Sequence, residues 1–354
     1  MNNIKILRLK GTKYNMGVEY GKQLKDELHI SLSILKKFFI DNQNISFDKL
    51  LKKSEEFYNR YPLSYQKFIE GVAVGGDLSF AEAKILNAME ILRSFVDGRE
   101  ALGGCSFINI PGAKTTSSTN IIGRNYDYAG LPYNLISQYL TLTILKEANL
   151  VPTAFIALPG QIYAPTAINA TSLFISLNNA MPSGGFIVNN QSQSLLINLL
   201  IALQTSQNFT QLDNQLQQLN SDFSLVINAA DQHNIKSYEY SAFQNMKSYI
   251  PKNDLSFAST NFYLQSDWNT PIPSDELTWQ GVSRRNNLLL QTNGESYSCA
   301  DIMNLLDIDL KFGGAKLDST IYQIVFDPKL KDLYLKRTQH DIKWTHINLG
   351  KLFD

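Results

Sequence analysis

Thiols and imidazoles are scarce: the 354 residues include two cysteines, Cys105 and Cys299, and four histidines. Two cysteines cannot build a disulfide framework. The histidines, at positions 29, 233, 340 and 346, are too scattered to form a metal-ligand cluster with them. Neither sign of charge is in excess, with 32 Lys and Arg against 32 Asp and Glu. No basic block supplies the electrostatic footprint that phosphate backbones require, which excludes nucleic acid as a partner. No apolar run reaches the roughly 18 residues that would span a bilayer. The opening stretch, "MNNIKILRLKGTKYNMG", lacks the apolar region and cleavage site of a signal peptide. The expectation is a soluble, cytoplasmic protein with no metal or cofactor. Asn-x-Ser/Thr triplets at Asn44, Asn169, Asn190 and Asn208 then read as accidents of an Asn-rich chain.

What is present suits a folded domain of substantial core, with 44% hydrophobic residues. Residues 14 to about 100 read as helices. Met16, Tyr20, Leu24, Leu28, Leu32, Leu35 and Phe39 recur at three- and four-residue steps and so share one helical face. "SFDKLLKKSEEFYNRYP" opens on a capping serine and stops at Pro62, and "SFAEAKILNAMEILR" opens with a Ser79/Glu82 capping box. The texture changes at Gly103. "CSFINI", "NIIGRNYDY", "YLTLTIL", "TAFIAL" and "SLFISLN" are short β-branched and aromatic runs separated by turn clusters. A helical pair over 191–220 follows, then strands at "SLVINAA", "IKSYEYS" and "LSFAST". Helices near 283–291 and 299–306 precede a closing hairpin with the turn "DPKLKD". Strand runs without regular βαβ alternation predict α+β layers rather than a doubly wound sheet.

Cys105 stands out against that pattern. A lone cysteine is ordinarily a small buried hydrophobe. Here it follows two glycines, a backbone that permits a tight turn in which a thiol reaches the carbonyl of the preceding residue. Nineteen residues on, "GRNYDY" carries Arg124 and Asp127 inside a strand-like stretch, and a hairpin of 105–110 with 121–128 would bring them near Cys105. Charged strand residues otherwise face solvent. None of the four histidines carries the local signature of a papain-like site.

In order, "GTKYNMGVEYGKQL", "GGCSF", "GRNYDY", "SLNNA", "FASTNFY", "SRRNNLLL" and "YQIVFDPKLKDLYL" resemble the acyl-coenzyme A:6-aminopenicillanic acid acyltransferase family. That family is a branch of the N-terminal nucleophile hydrolases, related to choloylglycine hydrolase and acid ceramidase. The resemblance covers nearly the whole chain and implies a four-layer αββα fold. It also implies a precursor that cleaves itself at Gly104/Cys105, with 1–104 retained as a helical small chain and 105–354 as the catalytic domain. Small Gly104 would leave room for the thiol to attack its carbonyl. The freed α-amine of Cys105, with a reference pKa of about 7.7 to 8.0, would then serve as the base.

By motif position, Asp127 would accept from that amine and Arg124 would favour the thiolate. Asn178 and Asn261 would build the oxyanion site or contact the nucleophile, an N–H there being worth about 3 to 4 kcal/mol. Asn179 is an alternative to Asn178. Arg284, or adjacent Arg285, would shape the site. "YLTLTIL" and "PGQIYAPTAIN" would wall a partly apolar acyl pocket. Cys299 reads as core. The implied activity is a cysteine amidohydrolase for small N-acyl amines or N-acyl amino acids. Transfer of an acyl group from a thioester or amide to an amine, a silent binding protein and self-association stay open.

Overall fold

The structure is a computed structural model of the 354-residue chain, described over residues 4–96, 104–128, 130–185, 193–252 and 254–354. It opens with strand β1 (Lys5–Lys10) and helices α1 (Lys13–Gln23), α2 (Lys25–Lys36), α3 (Phe47–Tyr58), α4 (Leu63–Gly76), α5 (Phe80–Asn87) and α6 (Met89–Val96). There follow β2 (Ser106–Ile110), β3 (Ile121–Asp127), α7 (Leu131–Ile136), β4 (Thr141–Lys146), β5 (Thr153–Ala157), β6 (Thr166–Asn169) and β7 (Phe174–Asn179). Next come α8 (Met181–Gly184), α9 (Leu195–Thr205), α10 (Phe209–Gln218), β8 (Leu225–Ala230), β9 (Ile235–Tyr240), β10 (Lys247–Tyr249) and β11 (Phe257–Ser259). The chain closes with α11 (Gly281–Leu290), α12 (Cys299–Asp307), β12 (Thr320–Asp327), β13 (Asp332–Arg337), β14 (Thr345–Asn348) and α13 (Gly350–Phe353).

The caps form as the sequence expects. Ser46 accepts from Lys49 N, and Ser79 and Glu82 make both bonds of a capping box. The apolar stripe from Met16 to Phe39 is buried throughout. Helices α1 and α2 and the π-helical segment Lys37–Asn42 after them carry it, because Leu24, at φ −111° and ψ 16°, breaks the run. Helices α1 and α4 cross at four glycines, where the missing side chains are required. A Cβ on Gly17, Gly21, Gly71 or Gly75 would fall 2.1, 2.5, 2.3 or 2.0 Å from backbone atoms of the opposite helix. Gly71→Ala must therefore push two helix backbones apart. It is expected to cost about 1–3 kcal/mol or more, read as a lowered thermal midpoint. An unchanged midpoint would contradict the close crossing.

The strands form two sheets. One has the order β1-β4-β5-β6-β7-β8-β9-β10 and the other β11-β2-β3-β12-β13-β14. Pairings are antiparallel except β1 with β4. β1 adds a strand to the helices expected ahead of Cys105, and β6, β10 and β14 also go beyond the sequence expectation. The sheets pack face to face. Phe107 meets Phe174 at 6.0 Å between ring centroids, and Tyr322 Oη lies 2.8 Å from Thr166 Oγ1. Outside the larger sheet, α9 lies on β5, β6 and β7, with α10 against α9. Outside the smaller sheet, Leu288, Ile302, Leu305 and Leu306 of α11 and α12 cover Ile108, Ile110, Ala258 and Val325. The result is the α+β, four-layer αββα arrangement. Among the described residues no helix is long and apolar enough to cross a membrane.

Candidate active site

β2 and β3 form a hairpin ladder in which Phe107 opposes Arg124 and Ser106 opposes Asn125. Side chains alternate along a strand. Cys105, Phe107, Arg124 and Tyr126 therefore face the space between the sheets, while Gly123, Asn125 and Asp127 face α11 and α12. Arg124 and Asp127, three residues apart, sit on opposite faces. Both are fully buried, against the ordinary habit of charged strand residues. They meet at the end of the ladder, where Cys105 is 4% exposed and its Sγ lies 4.0 Å from the Asp127 carbonyl oxygen. Burial pushes the Cys105 thiol up. Arg124 and Arg284 pull it down, and the Asp127 carboxyl reinforces the rise.

Arg284 organises the junction. Helix α11 places Gly281, Arg284 and Leu288 on its buried face. From there Arg284 Nη1 donates to Gly104 O at 2.9 Å, Nε donates to Ala315 O at 3.0 Å, and Nη2 donates to Asp127 Oδ2. The Arg284–Asp127 pair is wholly buried, and Thr320 Oγ1 donates to the other Asp127 oxygen. Burial raises the Asp127 carboxyl, while the Arg284 guanidinium and the Thr320 hydroxyl oppose it. In the intact chain the carboxylate thus braces Arg284. Arg285 is half-buried and donates from Nε to Ala258 O at 2.9 Å. The arginine brought to the junction is Arg284.

Asn261 also reaches the junction. Its Nδ2 donates to Asn179 O at 2.8 Å, and its Oδ1 lies 3.0 Å from where a Cβ on Gly104 would be. Asn178 faces between the sheets and donates to Ser259 O at 3.3 Å and Thr260 O at 3.1 Å. It braces β7 against β11, next to the Leu177 carbonyl that Arg124 Nη2 bonds. Asn179 lends its side chain to the turn, its Oδ1 accepting from Met181 N at 3.0 Å. Gly104 is crowded: an added Cβ would stand 2.8 Å from Trp279 Cβ and 2.9 Å from Arg284 Nη1.

Thr320, Trp279 and Glu90 belong to this neighbourhood, and the sequence reading does not single them out. Thr320 and Trp279 carry no motif, but an acid inside "NAMEILR" is a signal, because it interrupts an apolar helix. Glu90 is 7% exposed and accepts from Tyr163 Oη at 2.7 Å. Tyr163 and Gln161 come from the stretch expected to line the acyl pocket, and that stretch is buried. Cys299 is half-buried rather than interior, against the cluster under α11 and α12, and burial pushes its thiol up to about 12.

No family model matches this sequence, and no curated protein matches it. Solved structures do. A Caenorhabditis elegans N-acylethanolamine-hydrolyzing acid amidase (NAAA) ortholog superposes with a TM-score of 0.50 at 13% identity, covering 64% of this chain and 94% of that one. A mutant of conjugated bile acid hydrolase from Clostridium perfringens gives 0.48 at 9% identity, covering 70% and 93%. Penicillin V acylase from Agrobacterium tumefaciens gives 0.45 at 10% identity, covering 70% and 86%. Likeness at such identity concerns the fold alone.

Proposed function

We propose that the chain is a self-processing cysteine amidohydrolase that cleaves a linear, non-peptide amide through a Cys105 acyl-enzyme. The observation that carries this reading is the guanidinium of Arg284, which donates to the Gly104 carbonyl while paired with Asp127 beside the Cys105 thiol. A carbonyl held by a buried cation is polarised, and charge developing on its oxygen in a tetrahedral intermediate is stabilised.

In the first stage the Cys105 sulfur bonds to the Gly104 carbonyl carbon and its proton passes to the departing nitrogen. The Gly104–Cys105 C–N bond breaks, leaving a thioester and an α-amine. Water then hydrolyses the thioester, giving the Gly104 carboxylate and a free thiol. In the second stage the α-amine takes the thiol proton, and the thiolate attacks the substrate carbonyl. The amine leaves protonated, and water releases the acid. Arg124 favours the thiolate, and Asp127, held by Arg284 and Thr320, would accept from the new amine.

Mass spectrometry of the purified protein tests the first stage. Two fragments, 1–104 and 105–354, are expected from the wild type, and Cys105→Ala should stay whole. A thiol-directed acyl probe should label residue 105 of the cleaved protein. An uncleaved, unlabelled wild-type chain would sink the proposal and favour a silent binding protein. Adding a competing amine to an N-acyl substrate separates the two enzymatic outcomes: free acid marks a hydrolase, and a large excess of new amide marks a transferase.

A further inference from the structure

Glu90 is the buried acid that the mechanism above leaves without a task. It sits in the first turn of α6, ahead of the junction, in a position braced on several sides. Tyr163 Oη donates to its Oε2 at 2.7 Å, and Tyr128 Oη donates to its backbone carbonyl. Tyr133 Oη donates to the Met89 carbonyl at 2.7 Å. Gln161 Nε2 in turn donates to Tyr163 Oη at 3.1 Å, and Asn87 Oδ1 accepts from Ile162 N at 3.1 Å. So fixed, Glu90 still has a buried Oε1 with no hydrogen-bond partner among the described residues.

Arg124 is its counterpart. The guanidinium is completely buried, with Nη2 on the Leu177 carbonyl and its carbon 5.3 Å from the Tyr126 ring centroid, yet Nε and Nη1 have no hydrogen-bond partner among the described residues. A buried cation this poorly paired acts strongly on whatever anion is nearby. Four acids feel it: the Cys105 thiol, the Glu90 and Asp127 carboxyls and the Tyr322 phenol, of which Asp127 is already paired with Arg284. Glu90 is pushed up to about 7 by burial, opposed by the Tyr163 hydrogen bond, by the nearby Gln161 amide and by Arg124. The other titratable groups around it are phenols: Tyr163, Tyr128 and Tyr61 on one side and Tyr322 on the other. Burial raises both Tyr163 and Tyr322, so neither competes as an anion near neutrality.

We propose that Glu90 is a positioning residue for the nucleophile: its carboxylate competes with the Cys105 thiolate for the guanidinium of Arg124, so that its protonation decides how much of that cation's field reaches the sulfur. When Glu90 is neutral, it makes no claim on Arg124 and more of that cation's field reaches the thiolate. When Glu90 ionises, it shares the cation and adds a like charge, and the thiolate is disfavoured. The helix ahead of the junction would thereby set the reactivity of the residue after it. This inference rests on Cys105 being the nucleophile.

The test is the pH profile of iodoacetamide labelling at Cys105, with the labelled peptide identified by mass spectrometry to exclude Cys299. Glu90→Gln should move the labelling midpoint down by about one pH unit and raise the rate several-fold above neutrality, where the wild-type carboxyl is ionised, while leaving it at the wild-type value in acid. Tyr163→Phe removes the bond that favours the Glu90 anion, so it should shift the midpoint the same way by less. It also decides the matter if Glu90→Gln fails to fold. Midpoints equal to wild type in the folded variants overturn the role of Glu90. Failure of wild-type Cys105 to form an acyl-enzyme with an N-acyl probe overturns the nucleophile reading instead, and the two failures are read in different experiments.

Discussion

Arg284→Met should cost about 3–5 kcal/mol of stability, because it strips the cation from a carboxylate that stays buried. Arg284 and Asp127 are both inaccessible to solvent, and Asp127 keeps only Thr320 as a donor once the guanidinium is gone. Against total stabilities of about 5–15 kcal/mol this is a large fraction. The loss should depend on pH in a defined direction. Without Arg284, burial is opposed only by Thr320 and Arg124, and holds the folded-state pKa of Asp127 above the unfolded value of about 3.9. The folded variant then binds a proton more readily than the unfolded chain, so its stability is greatest in acid and falls as pH rises through the folded pKa. Chemical denaturation at several pH values reads this out. Arg284→Met combined with Asp127→Leu should recover much of the loss, since two apolar groups leave no orphaned charge. A single variant within about 1 kcal/mol of wild type would mean that the pair is held by solvent rather than by the fold.

The same residues show what can be read from the sequence. Period-3.6 spacing is enough to bury Met16 through Phe39, since an apolar stripe has nowhere else to go. β1 escapes because its alternation, with Leu7 and Leu9 buried between exposed lysines and Arg8, is only six residues long and its partner β4 lies more than a hundred residues away. Non-local pairing leaves no local mark. β6, β10 and β14 are shorter still, three or four residues each.

At the site, the junction and the charges of "GRNYDY" are legible as a motif, but the motif alone does not announce their division between two faces. Parity implies that division, because residues 124 and 127 differ by an odd number on a strand. The choice between Arg284 and Arg285 depends on helix phase, and three consecutive leucines at 288–290 leave that phase ambiguous in sequence. Burial of Gly281 and Leu288 resolves it. Glu90 escapes notice because "SFAEAKILNAMEILR" reads as one helix, and the break at Ala88 that starts α6 leaves no mark in it.

Gly104→Ala should slow the proposed self-cleavage by about 10²–10³-fold, the loss that follows removal of one donor to a developing oxyanion. The cause is steric. Gly104 is absent from the residues with left-handed φ, so alanine can adopt its backbone conformation without penalty. The added methyl, however, would come within 2.8 Å of Trp279 Cβ, which is fixed to the backbone entering α11 and cannot swing aside. The yielding parts are the Arg284 Nη1 at 2.9 Å and the Asn261 Oδ1 at 3.0 Å. Moving Nη1 breaks its 2.9 Å bond to the Gly104 carbonyl, the one the cleavage step needs. A time course of fragment appearance measures the rate, and thermal unfolding of the uncleaved variant checks that the fold persists. The substitution stays at the end of the 1–104 fragment. Molecules that do cleave therefore begin with an unaltered Cys105, and their thiol should label at the wild-type rate. Slow cleavage with normal labelling places the glycine's role in the breaking of the bond. Cleavage at the wild-type rate would mean that Arg284 is not the group that polarises it.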